Sequence, residues 1–258
     1  MTTIIDGTSG VTFPAGGVGN PAGAVVGTTD TQSVSNKTLA AGTLVAAGTS
    51  TLVPLDFVSG TLVTTPIAGA FEYDGLVPYF TPQDTQRGVM PAGQYYRLNS
   101  ARVGANATGA QSIFGVGATL SSNTVYAFEG FVMYIKSAGT TSHTVSLGFG
   151  GTATVNNAAF NGVSSANASS SAPINTNVFC GFTQSLAATA YTTGLTSANI
   201  WHSVRFWGTV SVNAGGTFIP QYTLSAAPGG AYTVQIGSHI NIYPLGASGS
   251  NLSVGTWA

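Results

Sequence analysis

Residues 200–212 read IWHSVRFWGTVSV, a stretch in which two kinds of side chain alternate. One series is mostly apolar and consists of Ile200, His202, Val204, Phe206 and Val210. The other series consists of Trp201, Ser203, Arg205, Trp207, Thr209 and Ser211. Successive side chains of a β-strand point to opposite faces of its sheet, so this period predicts a long strand with one face in the core. We expect His202 to be a hydrogen-bonded interior histidine.

Further runs of the same kind lie on both sides of this strand. They predict strands over residues 124–136, 144–149, 217–224 and 232–243, separated by loops rich in Ser, Asn, Ala and Gly, such as residues 161–171. No helical period occurs between them. Several long strands without intervening helices are typical of an antiparallel β-sandwich or jelly roll, so we expect an all-β domain over residues 99–258.

The chain carries unusually few charged residues. Only 5% of its 258 residues are Asp, Glu, Lys or Arg, whereas 43% are hydrophobic. The apolar content is enough to form a core, which excludes a disordered chain. A surface with so few charges is either buried in an assembly or covered by hydroxyl groups. We therefore expect an assembly in which neighbouring chains cover the edge strands of the sheets.

The composition also argues against several kinds of partner. The six Lys and Arg residues are spread along the chain, so we expect no nucleic-acid partner. No apolar run is long enough for a membrane helix, and residues 1–7 lack the features of a signal peptide, so we expect no membrane partner and folding in a cytoplasm. The single cysteine, Cys180, allows no internal disulfide and is expected to be buried.

Residues 1–50 show neither a strand period nor a helix period. Pro14, Pro21 and the glycines between residues 16 and 27 disfavour a helix, and the apolar residues are too sparse for a core. We interpret this segment as an extended arm that lies along another protein, where its backbone adds to the edge of a sheet. The alternative is a disordered tail.

Residues 51–98 are expected to form a small β-hairpin module. Within it, residues 70–80 read AFEYDGLVPYF. Asp74-Gly75 is the turn dipeptide of a type I′ hairpin, which needs positive φ at both central residues. Pro78 lacks the amide hydrogen that a central strand requires, so we expect its half of the hairpin to lie at an edge.

Two stretches resemble parts of tailed-bacteriophage fibre and virion surface proteins. Residues 59–75 read SGTLVTTPIAGAFEYDG and are followed by YFT at 79–81, and residues 31–39 read TQSVSNKTL, similar to the TQTLTNKTL segment of those proteins. The resemblance implies a homotrimer with the arm at 1–50 bound to other virion proteins and an exposed C-terminal β-domain. It implies that the hairpin module ties three chains together through Phe71, Tyr73, Asp74, Gly75 and Tyr79.

The chain lacks the patterns that form the shaft of a long fibre. It has no coiled-coil heptads, no Gly-X-Y run and no serial repeat. The resemblance therefore implies a structural protein of the virion, assembled in the bacterial host cytoplasm, that is a short fibre or spike or a capsid decoration protein. Its role would be stabilisation of the particle or adhesion to the host surface.

The ionisable residues form no pattern of a catalytic or metal site. His143, His202 and His239 are far apart in the sequence, and none belongs to a metal-ligand pair. Of the seven acidic residues only Glu129 lies in the predicted β-domain, whereas a glycosidase needs two facing carboxylates. We expect no enzyme, no metal and no cofactor, and a polysaccharide-degrading spike is the less favoured alternative.

Glu129 lies in an otherwise apolar series of the strand at 124–136. The other members of this series are Val125, Ala127, Phe131, Met133 and Ile135. A carboxylate on such a face is costly unless it is paired, so we expect an ion pair with Arg205, Arg102 or Arg97. A structural ion pair or a trimer contact is favoured over a role in binding.

The polar face of the strand at 200–212 is the best candidate for binding. Trp201 and Trp207 flank Arg205 and form a stacking surface with cation–π capacity. A weaker polar face contains Gln235, His239, Asn241 and Tyr243. Two interpretations remain open: a site for a host-surface glycan, or an interface with a second sheet or subunit, where Trp and Arg are enriched. The interface is the favoured one.

Overall fold

The computed structural model describes residues 4–6, 10–12, 45, 47–167, 178–249 and 251–257. Contacts between residues divide the chain into two units, Met1–Asp56 and Phe57–Ala258. Every regular element in the described residues is a strand, which confirms the predicted all-β class. Within the same residues there is no helix that is long and apolar enough to cross a membrane.

Within its described residues, the first unit contains one short antiparallel pair, formed by β1 (Ile4–Asp6) and β2 (Gly10–Thr12). Most of the predicted arm at 1–50, including the whole segment 31–39, lies outside the described residues. The extended arm and its attachment to other virion proteins therefore stay predictions.

The described residues of the second unit form sixteen strands. The strands before residue 124 are short: β3 (Phe71–Tyr73), β4 (Pro78–Phe80), β5 (Gly88–Val89), β6 (Gln94–Arg97), β7 (Arg102–Val103), β8 (Gln111–Ser112) and β9 (Ala118–Leu120). The later ones are β10 (Thr124–Lys136), β11 (Val145–Gly150), β12 (Thr154–Asn167), β13 (Val178–Thr183), β14 (Thr189–Ala190), β15 (Ile200–Ala214), β16 (Gly216–Leu224), β17 (Thr233–Val234) and β18 (His239–Ala247).

The long strands form two antiparallel sheets. In the large sheet, β10 pairs on one side with β15, which is followed by β12 and β13. On its other side, β10 pairs with β18 along one half of its length and with β17 along the other half. Strand β6 pairs with the far side of β18, and β7 pairs with the far side of β17. The smaller sheet has the order β14-β11-β16, and β16 also pairs with β8 and β9. Strands β3, β4 and β5 form a separate sheet.

Aromatic rings from both sheets meet in the centre of the core. Three come from the large sheet and two from the smaller one: Phe128, Phe160, Phe206, Phe149 and Phe218. The rings of Phe149 and Phe218 stack with centroids 4.7 Å apart, and Phe128 lies 4.9 Å from Phe149. Burying each of these side chains contributes about 2 kcal/mol. The predicted sandwich is confirmed, with its core between the two sheets.

The strand over 200–212 is observed with the predicted faces. It forms β15, which extends to Ala214, and its apolar series, including His202, is buried. Arg205 and Trp207 are exposed on the opposite face. The strand over 124–136 is also observed with the predicted bounds, as β10. A period of two over more than ten residues was sufficient to locate both strands.

Residues 161–167 continue β12, although residues 161–171 were predicted to form a loop. The inward positions here are occupied by the small residues Gly162, Ser164 and Ala166, all of which are buried. Small and polar residues are typical of loops, so the composition concealed a period of two. Pairing with β15 along the whole segment overrides this local preference.

Residues 232–243 form two strands instead of the single one predicted. A turn over residues 235–238 separates β17 from β18, and both strands pair with β10. The hydroxyl of Ser238 accepts a hydrogen bond from the amide of Met133 at 3.1 Å, where the ladder is interrupted. The turn therefore provides a hydrogen-bond acceptor for the amide of Met133 on the neighbouring strand β10.

Cys180 is exposed, and the prediction that it is buried was wrong. It lies on β13, which is the last strand of the large sheet in the described part of the chain. A strand at an edge has a neighbour on one side only, so its side chains are covered less than those of a central strand.

The hairpin of β3 and β4 has a different turn from the one predicted. Tyr73 pairs with Pro78, so four residues connect the strands. Gly75 has a φ of +94°, but Asp74 is not among the residues with positive φ, which excludes a type I′ turn. The Asp74 carboxylate instead accepts hydrogen bonds from the amides of Leu76 and Val77 at 2.8 and 2.9 Å.

Strand β4 is central in its sheet, and the prediction that it is an edge was wrong. It pairs with β3 on one side and with β5 on the other. Pro78 is tolerated because it is the first residue of the strand, where proline is allowed. Its carbonyl still accepts a hydrogen bond from the amide of Met90 at 2.9 Å.

Replacing Asp74 by alanine is expected to destabilise the hairpin by roughly 1–2 kcal/mol, because two amides and the Tyr79 hydroxyl lose their acceptor. Partial burial alone would raise the pKa of Asp74, but these hydrogen bonds together lower it below 3.8. The stabilisation is therefore present at neutral pH and is lost as the pH falls below about 4. Hydrogen exchange at the amides of Leu76 and Val77 measures the effect.

Asp56→Ala is the control for this variant, because Asp56 is exposed. It should leave the exchange rates of both amides unchanged. Equal protection of Leu76 and Val77 in wild type and in Asp74→Ala would contradict the assigned role of the carboxylate.

Candidate functional site

The two predicted polar faces lie on the same outer face of the large sheet. Trp201, Arg205 and Trp207 lie on β15, whereas His239, Asn241 and Tyr243 lie on β18. Gln235 lies in the turn between β17 and β18, so its placement on the same strand face was wrong. Strand β10 pairs with both strands and lies between them. Residues of β10 are therefore part of any site that combines the two faces.

The register of the strands aligns these residues in two neighbouring rows. The first row contains Asn161, Trp207, Glu129, Asn241 and Tyr95. The second row contains Val163, Arg205, Phe131, His239 and Arg97. Directly paired residues of antiparallel strands have Cβ atoms about 5 Å apart, so each row is a continuous line of side chains across the sheet.

Two adjoining depressions lie over these rows. The larger has a volume of about 550 Å³ and is lined by Glu129, Phe131, Val163, Ser164, Ser165, Ser203, Arg205 and Trp207. The second, of about 380 Å³, is lined by Glu129, Gly130, Phe131, Arg205 and His239. Both share Glu129, Phe131 and Arg205, so these three side chains are at the centre of the surface. We call the two depressions together the outer cleft.

Exposed aromatic rings lie in and next to the outer cleft. Trp207 is 42% exposed and lines the larger depression, whereas Tyr95 is 60% exposed and lines neither depression. The ring of Tyr95 stacks on that of His239 with centroids 5.5 Å apart. Nδ1 of His239 lies 2.9 Å from the carbonyl oxygen of Gly237, which only accepts, so in the neutral ring Nε2 is left as an acceptor.

Glu129 is exposed, so the otherwise apolar series of β10 that contains it is not the buried one. The buried series of β10 is the other one, which includes Tyr126, Phe128, Val132 and Tyr134. Both series of this strand contain mostly apolar residues, so their composition does not show which one faces the core. Glu129 lies on the outer face of the sheet.

The predicted ion pair of Glu129 is absent from the described residues, whose one ion pair joins Arg87 to Glu72 at 2.8 Å. In the same part of the chain, the side chains of Glu129 and Arg205 make no hydrogen bond. The buried Oδ1 atom of Asn161, next to Trp207 in the first row, also has no partner there. The outer cleft therefore holds acceptors and donors that its own residues leave unused.

The structure brings together only some of the predicted site residues. Arg205, Trp207 and His239 line the outer cleft, and Asn241 lies in the first row. Trp201 lines neither depression, because it is four residues from Arg205, about 13 Å along the strand. Tyr243 pairs with Ala127, one row beyond Glu129. The contributions of Phe131 and Tyr95 were missed, since they depend on strand register.

The predicted trimer-module residues have different environments. Phe71 is partly exposed, and its ring lies 4.5 Å from that of Phe57. Tyr79 is buried and donates a hydrogen bond to Asp74 at 2.8 Å. Tyr73 donates to the carbonyl of Gly75 at 3.1 Å. Phe71 is therefore accessible to another chain, whereas Asp74 and Tyr79 stabilise the hairpin itself.

The carboxylates of the hairpin are engaged in structural contacts. Glu72 accepts from Nε of Arg87 at 2.8 Å and from the amide of Val63 at 2.8 Å. Arg87 also donates to the carbonyl of Val63 at 2.6 Å. Asp74 is occupied by the contacts described above. Neither carboxylate is available as a general acid or nucleophile, which argues against the hydrolase alternative at this position.

Two of the three histidines are buried at one end of the core. His143 binds Thr141 O and the Tyr232 hydroxyl, both at 2.8 Å. His202 stacks on Tyr134 with centroids 5.6 Å apart, but within the described residues neither of its ring nitrogens has a hydrogen-bond partner. The prediction of a hydrogen bond to His202 was therefore wrong.

The buried cation near these histidines has a structural role. Lys136 donates to the carbonyls of Ala138, Gly139 and Ser197 at 3.0, 2.5 and 2.8 Å. Desolvation lowers the pKa of this lysine. The three acceptors satisfy its ammonium group, so Lys136 ties two loops together. The described part of the chain contains no group of three His, Cys, Asp or Glu residues that could hold a metal ion.

Comparison with known proteins assigns no family to the chain. No protein-family model, no curated protein and no solved structure matches it.

Proposed function

We propose that this chain is a homotrimeric structural protein of a tailed-phage virion. Its N-terminal arm attaches to the capsid or tail, and its β-sandwich is exposed on the particle. The resemblance of residues 31–39 and 59–75 to phage fibre and virion surface proteins supports this assignment. A short fibre or spike and a capsid decoration protein are both consistent with it.

A run of exposed apolar side chains is the observation that carries this proposal. In the single chain, the exposed large apolar residues between positions 45 and 71 are Val45, Leu52, Val53, Leu55, Phe57, Val58, Val63, Ile67 and Phe71. Scattered exposed apolar residues are ordinary, but so many large ones within residues 45–71 provide apolar side chains that a partner can cover. Three of these nine residues, Val63, Ile67 and Phe71, fall in the stretch 59–75 that resembles the phage module.

Copies of the same chain are the partners that best fit this run. The net charge is −1 and only 5% of residues are charged, so copies repel each other weakly. Most soluble oligomers are closed and made of identical chains, which covers the same apolar segment in every copy. The number three comes from the resemblance.

The native mass of the purified full-length chain tests the proposal. We expect about 78 kDa by light scattering, three copies of the 25.9 kDa chain. Replacing both Leu55 and Phe57 by serine removes apolar contacts from every copy and should lower the mass towards that of the single chain. Ile236→Ser is the control, because Ile236 is exposed outside the apolar run and should leave the mass unchanged.

A monomer that is stable to heat and does not associate with phage particles would contradict the proposal. Loss of the oligomer in the Ile236 control would instead place the interface elsewhere.

Adhesion to a host-surface glycan is a second role, and the outer cleft is the observation that favours it. The cleft combines an exposed tryptophan with an unpaired arginine and an unpaired glutamate, as described above. This role is compatible with the first, because a virion protein can both assemble and adhere.

A further inference from the structure

We propose that the outer cleft binds one pyranose unit of a bacterial surface polysaccharide, with Trp207 as the stacking platform and Glu129 and Arg205 as the groups that hold its hydroxyls. This inference rests on the adhesive role for its biological setting. It adds the ligand class and the residues, and it moves the site away from Trp201.

The aromatic side chains provide the apolar part of the site. One face of a pyranose ring carries mainly C–H groups, and it packs on a flat aromatic surface. Trp207 is 42% exposed and borders the larger depression, where its neighbour Phe131 forms part of the lining. Both lie on long central strands of the sheet, so their positions are held rigidly before a ligand binds.

The unpaired polar groups provide the hydrogen bonds. Each sugar hydroxyl both donates and accepts, and adjacent hydroxyls match a planar side chain with two polar atoms. The guanidinium of Arg205 only donates and the carboxylate of Glu129 only accepts, so together they satisfy both functions of a hydroxyl pair.

The charge of the outer cleft favours a neutral ligand. Arg205 and Glu129 are opposite in sign and lie in adjacent rows, so neither an anion nor a cation is selected. Polar recognition without net charge is what a polyhydroxylated ring requires. The volume of about 550 Å³ lies in the ordinary range for a small-ligand site.

A second copy of the chain fits the outer cleft less well. The centre of a protein interface is depleted of Glu and Asp, and an unpaired buried charge there is costly. The centre of this surface contains Glu129 and Arg205 without partners in the described residues, and it is concave. Trp207 and Arg205 are residue types that interfaces favour, but the unpaired Glu129 carboxylate at the centre is not, whereas the apolar run at 45–71 contains no charged side chain among its exposed large residues.

The test compares binding by the full-length wild type and three variants. A printed array of bacterial capsular and O-antigen polysaccharides identifies the strongest binder, which is then titrated by calorimetry. Trp207→Ala and Glu129→Gln should each weaken binding by about tenfold or more. Trp201→Ala is the matched control, because Trp201 lies on the same strand and face but outside the cleft; its affinity should stay within about twofold of wild type.

Tryptophan fluorescence supplies a second readout that does not depend on a loss of binding. The chain has three tryptophans, so Trp201→Phe combined with Trp257→Phe leaves Trp207 as the single emitter. Its emission should shift when the polysaccharide binds. An unchanged spectrum at saturation would place the ligand away from Trp207.

Three results would overturn the inference: no polysaccharide on the array binds, Trp201→Ala weakens binding as much as Trp207→Ala, or Trp207→Ala changes the native mass. The last result would identify the face as a subunit interface. The native mass tests the virion proposal separately. A monomer that still binds polysaccharide through Trp207 would support the glycan site and would contradict the proposed trimer.

Discussion

Replacing Gly208 by alanine is expected to lower the free energy of unfolding by about 3 kcal/mol, although only one methyl group is added. Gly208 lies in β15 and pairs with Phe128 on one side and Phe160 on the other. A Cβ atom there would be 2.3 Å from the carbonyl oxygen of Ala159 and 2.6 Å from Cβ of Phe160. These atoms belong to the next strand, so relief requires β12 and β15 to move apart.

Urea denaturation measures this effect, and Gly60→Ala is its control. A Cβ atom at Gly60 meets nothing within 4 Å, so the same substitution should change the free energy of unfolding by less than about 0.5 kcal/mol. Similar unfolding midpoints for the two variants would mean that β12 and β15 do not pack as closely at Gly208 as described.

Replacing His202 by phenylalanine is expected to make the protein resistant to acid. Burial, with a smaller contribution from His143, lowers the pKa of His202 from 6.5 to about 3. The unfolded chain therefore binds a proton that the folded chain does not bind, and stability falls as the pH decreases from about 6.5 to 3. Between pH 7 and pH 4.5, this single group lowers the free energy of unfolding by roughly 3 kcal/mol.

The comparison of His202→Phe with wild type at two pH values isolates this contribution. At pH 8 the variant should be more stable by about 1 kcal/mol, because two buried nitrogens without partners are removed and the ring stack on Tyr134 is kept. At pH 4.5 the advantage should increase to roughly 4 kcal/mol. An advantage that is the same at both values would show that His202 already binds a proton in the folded state.

The predicted strands that proved correct have a clear alternation of apolar and polar side chains. In β15, Val204 and Phe206 are separated by Arg205, so the buried face was evident before the structure. In β10 the bounds were predicted but the faces were not, because Phe131 and Met133 made the outer series as apolar as the inner one. Periodicity locates such a strand without showing which side meets the second sheet.

The other wrong predictions also concern segments whose structure is decided by contacts with other parts of the chain. β12 has the composition of a loop and is held as a strand by its pairing with β15. The Asp74-Gly75 dipeptide favours a type I′ turn locally, but hydrogen bonds to Leu76, Val77 and Tyr79 stabilise a longer loop. Local propensity contributes tenths of a kcal/mol to about 1 kcal/mol, which a few such contacts outweigh.

The residues of the outer cleft also divide into those that the sequence identified and those that depend on strand pairing. Its residues on β15 were identified from one strand, because residues two apart on a strand share a face whatever surrounds them. That Glu129, Phe131 and His239 lie beside Arg205 depends on the register of β10 and β18, which the alternation within a single strand does not contain.

The all-β class, the positions of the long strands and the buried face of β15 follow from the order of neighbouring residues, because a period of two is a local pattern. The buried face of β10, the strand β12 and the outer cleft follow from contacts between strands that are far apart in the chain. Each of these depends on which strand lies beside which, and in what register. Pairing of that kind is settled by the packing of the whole sandwich.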